Sequence, residues 1–434
     1  MEKYKIRISL LLLTSIIFLV TISEVSADQS NIYVSTDGND SWSGENPTWN
    51  GTDGPKLTVQ NAINTATTNG TVNVASGTYF EKEILILSNV QITGAGSSNT
   101  IIDAQDAGII FYVDQSVEAI LSGLTLKNGN FMVGGAIYNN GNLQLNHVTF
   151  ESNNALDAGG AVYNTDLGQL TITDCNFKWN TARNGGAIYN YGTGIVEDSS
   201  FVQNTGTQGG AITNYGPLTI VNSIFNSNHA IEIGGAFYNS LKGDVTITSS
   251  SFTENSVTDA ESYGGAIGSY GLLTITGTIL TSNLATYGGS VANTGKISAI
   301  ATGNWWGSTD GPEESAICGD VNIDNWLTSN PSILNNLTPE NSEEEPLLVM
   351  GAIAGTNTNI DTETTTTAVT DSETPTTSNN DSVSIETNNA IMTTTNTEQN
   401  SSTDSDPLTT SFPLASITWG CLMIVGGVVL PRRK

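Results

Sequence analysis

The chain has little of what usually staples or arms a protein. Only three of 434 residues are Cys, and only two are His. Three cysteines do not make a disulfide framework. Lys and Arg total 13 against 42 Asp and Glu, a formal net charge of -29. Such a surface repels nucleic acid and anionic lipid heads, so neither is a partner. No aromatic residue occurs between Trp326 and Phe412, and no Lys or Arg between Lys296 and Arg432. That rules out a packed core over the segment. Helical apolar spacing is missing from residues 134–293, which excludes helical repeat folds.

What those residues hold instead is one recurring phrase. GGAIYN starts at Gly134, and related hexads start at Gly159, Gly185, Gly209, Gly234, Gly264 and Gly288. The spacings are 25, 26, 24, 25, 30 and 24, the signature of a solenoid. Interleaved with it is a large apolar residue followed three later by Asn, from Phe150/Asn153 to Leu280/Asn283. Between the two phrases apolar and polar residues alternate, as in Leu170-Thr171-Ile172, and period two means strand. The column Leu145, Ile172, Val196, Ile220, Ile247, Ile275 is apolar in every repeat and is predicted to face inward. The fold class is therefore all-β: a right-handed single-stranded parallel β-helix, three short strands per coil. About ten coils over roughly 72 to 303 would stack at about 4.8 Å. The Gly pairs suit turns with positive φ or close backbone approach, and the Asn columns suit turns that hydrogen-bond from coil to coil.

These phrases resemble the GGAI and FxxN repeats of chlamydial polymorphic membrane proteins. The whole layout is more similar to adhesin-like surface proteins of methanogenic archaea. The match is carried by Ile32-Tyr33-Val34-Ser35-Thr36-Asp37-Gly38-Asn39-Asp40, by the GGAIYN array, and by Gly303-Asn304-Trp305-Trp306-Gly307 through Pro312 with Trp326-Leu327. The resemblance implies a pectin-lyase-like β-helix and a place at the cell surface.

The remaining segments fit an exported chain. Residues 1–27 read as a signal peptide, with Lys3, Lys5 and Arg7 before an apolar run and Val25-Ser26-Ala27 at its end. Its removal leaves 40 acids against 10 bases. Residues 28–80 form an N-terminal cap and first strands, with a short helix over 57–66. The β-helix proper spans 81–303. A C-terminal cap spans 304–337, where Trp305, Trp306, Trp326 and Ile323 cover the last coil. Residues 338–411 are a Thr/Ser/Asn-rich acidic stalk, disordered by composition. The apolar patch Leu347 to Ala354 within it has no account. Residues 412–430 are 19 without a charge, long enough for a C-terminal transmembrane helix, or a sorting segment. The basic tail 431–434 predicts a cytoplasmic end and an extracellular ectodomain.

Candidate sites are sparse. His147, Asp174 and Asp198 share one column and would stand on adjacent coils, the sharpest catalytic candidate. Asn164-Thr165-Asp166 matches one element of polygalacturonase-type hydrolases, but the other elements of that family are absent. Lys178, Arg183, Lys242 and Lys296 are the repeat region's bases, and they fall at different phases. His229 lies outside the column and reads as a turn residue. Asp37, Asn39 and Asp40 are a weak calcium candidate, since Trp42 stands where an EF-hand needs Gly. No other cofactor or metal is implied. Cys175 reads as a small interior residue. Cys318, about five coils away and past the last coil, is too far to bridge it. Sequons at Asn39, Asn50, Asn69, Asn336, Asn380 and Asn400 suit surface glycosylation. The column Tyr138, Tyr163, Tyr189, Thr213, Tyr238, Gly268, Ala292 accepts small residues and is predicted to face outward as a contact stripe. The expected function is a cell-surface adhesin-like protein binding a glycan or a protein of another cell. A carbohydrate-active enzyme and a structural envelope spacer are the alternatives. Deleting 412–434 is expected to release the ectodomain into the medium; retention in the membrane fraction would reveal a second attachment.

Overall fold

A computed structural model describes residues 30–331. The signal peptide, the stalk and the C-terminal apolar segment lie outside the described residues. Among the described residues no helix is long and apolar enough to cross a membrane.

Strands pair in parallel with the equivalent strand one coil on. This builds a sheet A of 12 strands, a sheet B of nine and a sheet C of ten. Ten strands of sheet A run from Gly70–Val74 to Ala299–Ile300, matching the expected number of coils. Each coil passes through A, then B, then C. Leu145 pairs with Ile172, Phe150 with Phe177 and Ile137 with Val162, so the sequence columns are the register of the sheets. Ile92, Leu121, Leu145, Ile172, Ile220, Ile247 and Ile275 are fully buried. In the neighbouring inward column of Leu143, Leu170 and Leu218, Gly194 has no side chain, and Leu218 of the next coil fills the space. Phe150, Phe177, Phe201, Phe225 and Phe252 form an interior stack with centroids 4.4 to 4.7 Å apart and planes within 3°. That is the strand spacing imposed on rings.

Each coil closes through turns of positive φ. The first Gly of every pair has φ near +65°, as at Gly134 and Gly185. The second needs close approach: a Cβ on Gly135 would meet the Gly160 carbonyl oxygen at 2.2 Å. The Asn columns are buried and linked along the axis. The Asn153 amide donates to Asn180, Asn180 to Asn204, Asn204 to Asn228, Asn228 to Asn255 and Asn255 to Asn283, each at 3.0 Å. A second ladder runs Asn139, Asn164, Asn190, Asn214, Asn239. Cys175 belongs to a third, shorter one: Val148 N–H donates to its Sγ, and its own N–H donates to Ser199 Oγ. Burial pushes its thiol up to about 12. It is inert but is a rung rather than mere filler.

The first open end is sealed. Helix α1 (Val59–Thr65) turns Val59, Ala62 and Ile63 inward. Its first N–H groups are met by Glu81, whose carboxylate accepts from Val59 and Gln60 at 2.7 and 3.2 Å. Gln60 then caps the edge strand of sheet C: its side chain accepts from Leu85 N–H and donates to Leu85 C=O. Both free groups of that residue are thereby withdrawn from pairing with another chain.

Four expectations need correction. A fourth element interrupts the three-strand coil: short parallel ladders join Asn130–Val133 to Asn154–Ala158, and Thr205–Gln208 to His229–Ile233 and Ser256–Val257. This sheet D lies between B and C. His229 is therefore a strand residue and not a turn residue. Cys318 does not lie past the coils, because Ile317–Gly319 extends sheet C in register with Val291–Asn293. The first strands expected within 28–80 are part of the same ladder, with Asn31–Val34 already in sheet A. At the far end Trp306 alone of the three tryptophans is buried, while Trp326 is 38% exposed.

Replacing Ile220 with Asp places an unpaired charge among fully buried neighbours and is expected to cost several kcal/mol. An unchanged melting temperature in that variant would contradict the inward assignment.

Candidate functional site

The His147, Asp174, Asp198 column lies at the corner from sheet A to sheet B. All three residues have positive φ, between +50° and +53°. Asn222, Ser249 and Gly277 continue the column with the same sign. Backbone geometry thus accounts for the residue types, since Asn, Asp, His and Gly accept this conformation best. His147 Nε2 lies 3.3 Å from Asp174 Oδ2, with the side chains 73% and 42% exposed. Asp198 does not join them and accepts instead from Asn222. A solvent-washed pair with no third group falls short of a general acid–base constellation.

The calcium candidate is also taken up locally. Asp40 Oδ1 accepts from the N–H groups of Leu57 and Thr58, and its Oδ2 from the Thr58 hydroxyl. Asn39 accepts from Ser41. Among the described residues no three acid, His or Cys side chains are placed to hold a metal. Of the bases, Lys178 pairs with Glu151 at 3.3 Å. Asn39, Asn50 and Asn69 are exposed, and Asn336, Asn380 and Asn400 lie outside the described residues.

The tyrosines are brought together. Tyr112, Tyr138, Tyr163 and Tyr189 stack on successive strands of sheet C, with centroids 5.2, 5.5 and 5.2 Å apart. They are half-buried rather than freely outward, and Thr213, Gly268 and Ala292 of the same column are buried. The expectation of an open face is corrected: the preceding segment of the coil leans over sheet C. A Cβ on Gly268, for instance, would meet the Ile233 side chain at 2.3 Å.

A second tyrosine position was missed. Where the column holds Thr213, Tyr215 of the same coil swings in, 5.3 Å from Tyr189. Where it holds Gly268, Tyr270 packs 6.1 Å from Tyr238, edge to face. One ring is thus present on each of seven successive coils, supplied by whichever position is free: 112, 138, 163, 189, 215, 238, 270. The signal lay two residues after Thr213 and Gly268; after the third vacancy, Ala292, the same position is Thr294. Tyr191 adds a ring 5.7 Å from Tyr215, with the Lys242 ammonium 6.0 Å above it. Leu167 and Leu241, 54% and 74% exposed, lie on the same corner between sheets C and A. Burial, reinforced by neighbouring tyrosines and acids, pushes the Tyr163 hydroxyl up to about 12 and raises those of Tyr138, Tyr189, Tyr215 and Tyr238. The stack therefore presents neutral hydroxyls at physiological pH. Because the rings cover one another's faces, it offers edges and hydroxyls outward.

No protein-family model matches the chain, and no curated protein matches it. Solved structures similar to it include an alginate lyase from Paenibacillus sp. strain FPU-7, at 14% identity and TM-score 0.37 over 61% of this chain and 96% of that one. A rhamnogalacturonan lyase is similar at 12% identity and TM-score 0.39, over 70% and 87%. The pectin methylesterase PemA from Erwinia chrysanthemi is similar at 11% identity and TM-score 0.36, over 71% and 98%. The β-helix assignment stands on the strand register itself.

His229 Nδ1 lies 3.2 Å from Ser256 Oγ, and burial lowers its pKa from the ordinary value of 6.5. A depressed His contributes stability that is present above that value and is lost as pH falls through the folded-state value. Melting temperature is expected to drop between about pH 7.5 and 5 in the native chain. The drop should be smaller in His229→Gln; equal drops would assign the pH dependence elsewhere.

Proposed function

We propose that the protein is a cell-surface, adhesin-like binding protein whose contact surface is the outer face of sheet C. The observation that carries this reading is the tyrosine stack, with one ring on each of seven coils, two of them, Tyr215 and Tyr270, supplied from a second position where the column holds Thr213 and Gly268. Backbone geometry demands no such compensation: Gly268 and Thr213 serve the strand without a ring. Tyr combines a large rigid apolar body with a hydroxyl, which suits glycan or protein contact. An export signal and a terminal apolar segment would place this face outside the cell on a stalk. Binding without cleavage is part of the proposal, because the His147–Asp174 pair sits on a turn column away from the stack.

A glycan array probed with residues 28–337 tests the reading, together with a Tyr138→Ser/Tyr163→Ser/Tyr189→Ser variant. The variant loses four ring contacts, each worth about 1 kcal/mol, so its fold is first checked by circular dichroism. Loss of attachment with an intact fold is expected. Full retention would remove the stack as the contact surface.

A further inference from the structure

The half-buried tyrosine stack runs between two flanking segments, which we take as the walls of a shallow trough, and these are where the repeats depart from their period. The shortest coils, from Gly185 and Gly264, are 24 residues. The coil from Gly159 is two longer, because Thr165-Asp166-Leu167-Gly168 stands where Tyr191-Gly192 stands next. The coils from Gly134 and Gly209 are each one longer. Those extra residues are bulges in sheet D, where Leu156 and Asp157 oppose Met132, and Ile231 and Glu232 oppose Thr207. The coil from Gly234 is six longer, with Leu241-Lys242 in one corner and 258–261 in the other. Every departure within the array falls in one of the two segments flanking sheet C. None falls in sheets A or B. Bulges re-aim side chains, and loops that vary on a fixed scaffold carry binding.

The charge of the walls is one-sided. Asp157 and Glu232 on one side and Asp166 on the other lie close enough to bias the tyrosine hydroxyls. Arg183, beside Asp157 in the next coil, and Lys242 in the opposite corner are the cations set against them. Residues 30–331 carry 26 acidic and seven basic side chains, so the wider field has the same sign. A polyuronate or other anionic polymer is repelled.

The repeat length selects between cationic polymers. An extended peptide advances about 3.3 Å per residue. The rings stand 5.2 to 5.5 Å apart, so a peptide falls out of step within a few coils. An extended chain of pyranose rings advances by close to one strand spacing and stays in step with the hydroxyls. Building on the reading of the stack as the contact surface, we infer that the trough takes a linear polysaccharide bearing free amino groups, laid along the solenoid axis. Tyrosine edges and hydroxyls meet the sugar rings and their hydroxyls, and Asp157, Asp166 and Glu232 meet the ammonium groups.

The test uses the full chain in detergent and four immobilised polymers: a β-linked polyglucosamine, its N-acetylated form, a polyuronate and polylysine. Retention is expected to rank polyglucosamine above the acetylated polymer, with none on the polyuronate, and to fall as salt is raised. An Asp157→Asn/Asp166→Asn/Glu232→Gln variant is expected to bind polyglucosamine about tenfold more weakly. An Asp244→Asn/Glu313→Gln/Glu314→Gln variant, with the same charge change away from the trough, should bind as the native chain does. Equal losses in both variants would reduce the effect to general attraction to a polyanion and overturn the proposal. Equal dependence of polylysine on the three trough acids would replace the polysaccharide with a peptide and also overturn it. If the trough variant binds normally while the triple Tyr→Ser chain loses every polymer, the contact surface stands and the amino-sugar class falls. If neither set of changes alters binding, the contact surface falls with it.

Discussion

Everything in this structure depends on a coil lying one strand spacing from its copy. Parallel strands in register place each side chain directly over its equivalent, so a residue type must be compatible with itself at about 5 Å. Apolar columns and planar rings satisfy that condition easily. A buried charge does not. Asn does, because its amide donates along the axis while its carbonyl accepts from the coil behind. Asn204 accepts from Asn180 and donates both to Asn228 and to the Phe177 carbonyl. The turns of a β-helix are where the backbone would otherwise be left unpaired, and an unpaired buried group costs about 1–3 kcal/mol. The Asn ladders run through those turns and close them one after another.

The same condition operates on the outside, where it has a different consequence. A Tyr column in register becomes a stack whether or not anything binds it, so stacking alone says little about function. The informative coils are two of the three that lack the column residue, those of Thr213 and Gly268. Tyr215 and Tyr270 come from a corner position, and both reach the stack by a different path from the backbone. Tyr215 stacks on Tyr191 of its own corner column and also meets Tyr189, so it bridges the two columns, while Tyr270 meets Tyr238 edge to face.

Most of the fold was legible because the solenoid turns three-dimensional register into one-dimensional period. Inward columns, Asn turns, Gly positions and the capping helix were all readable, since each is fixed by nearest-neighbour stacking. Less legible were the features that interrupt the stacking. Sheet D is built from short stretches such as Thr205–Gln208 with weak alternation, and only pairing with the adjacent coil makes them strands. The Tyr column was read as outward because it accepted Thr213, Gly268 and Ala292. Those small residues report cover by a neighbouring segment, as at Gly268 under Ile233, and not freedom. His147, Asp174 and Asp198 looked chemical because acids and a His shared a column. Positive φ selects that set of residue types on its own.

Length variation within the array carries the remaining argument. A coil that must match its neighbour along sheets A and B cannot gain a residue there without moving every inward side chain to the outward face. Insertions are confined to turns and bulges for that reason. Three corners join A to B, B to C and C to A, and a solenoid under packing constraint alone has no cause to prefer among them. The A-to-B corner here never changes length between Gly134 and Gly288, although it is as solvent-exposed as the others, with His147 and Asp174 on its surface. Both corners beside the tyrosines do change. Within the array that asymmetry fits a surface shaped for a ligand; before it, in the coil of Tyr112, the A-to-B corner is itself longer, since Val90 to Ile102 pairs with the shorter stretch Ala119 to Leu126.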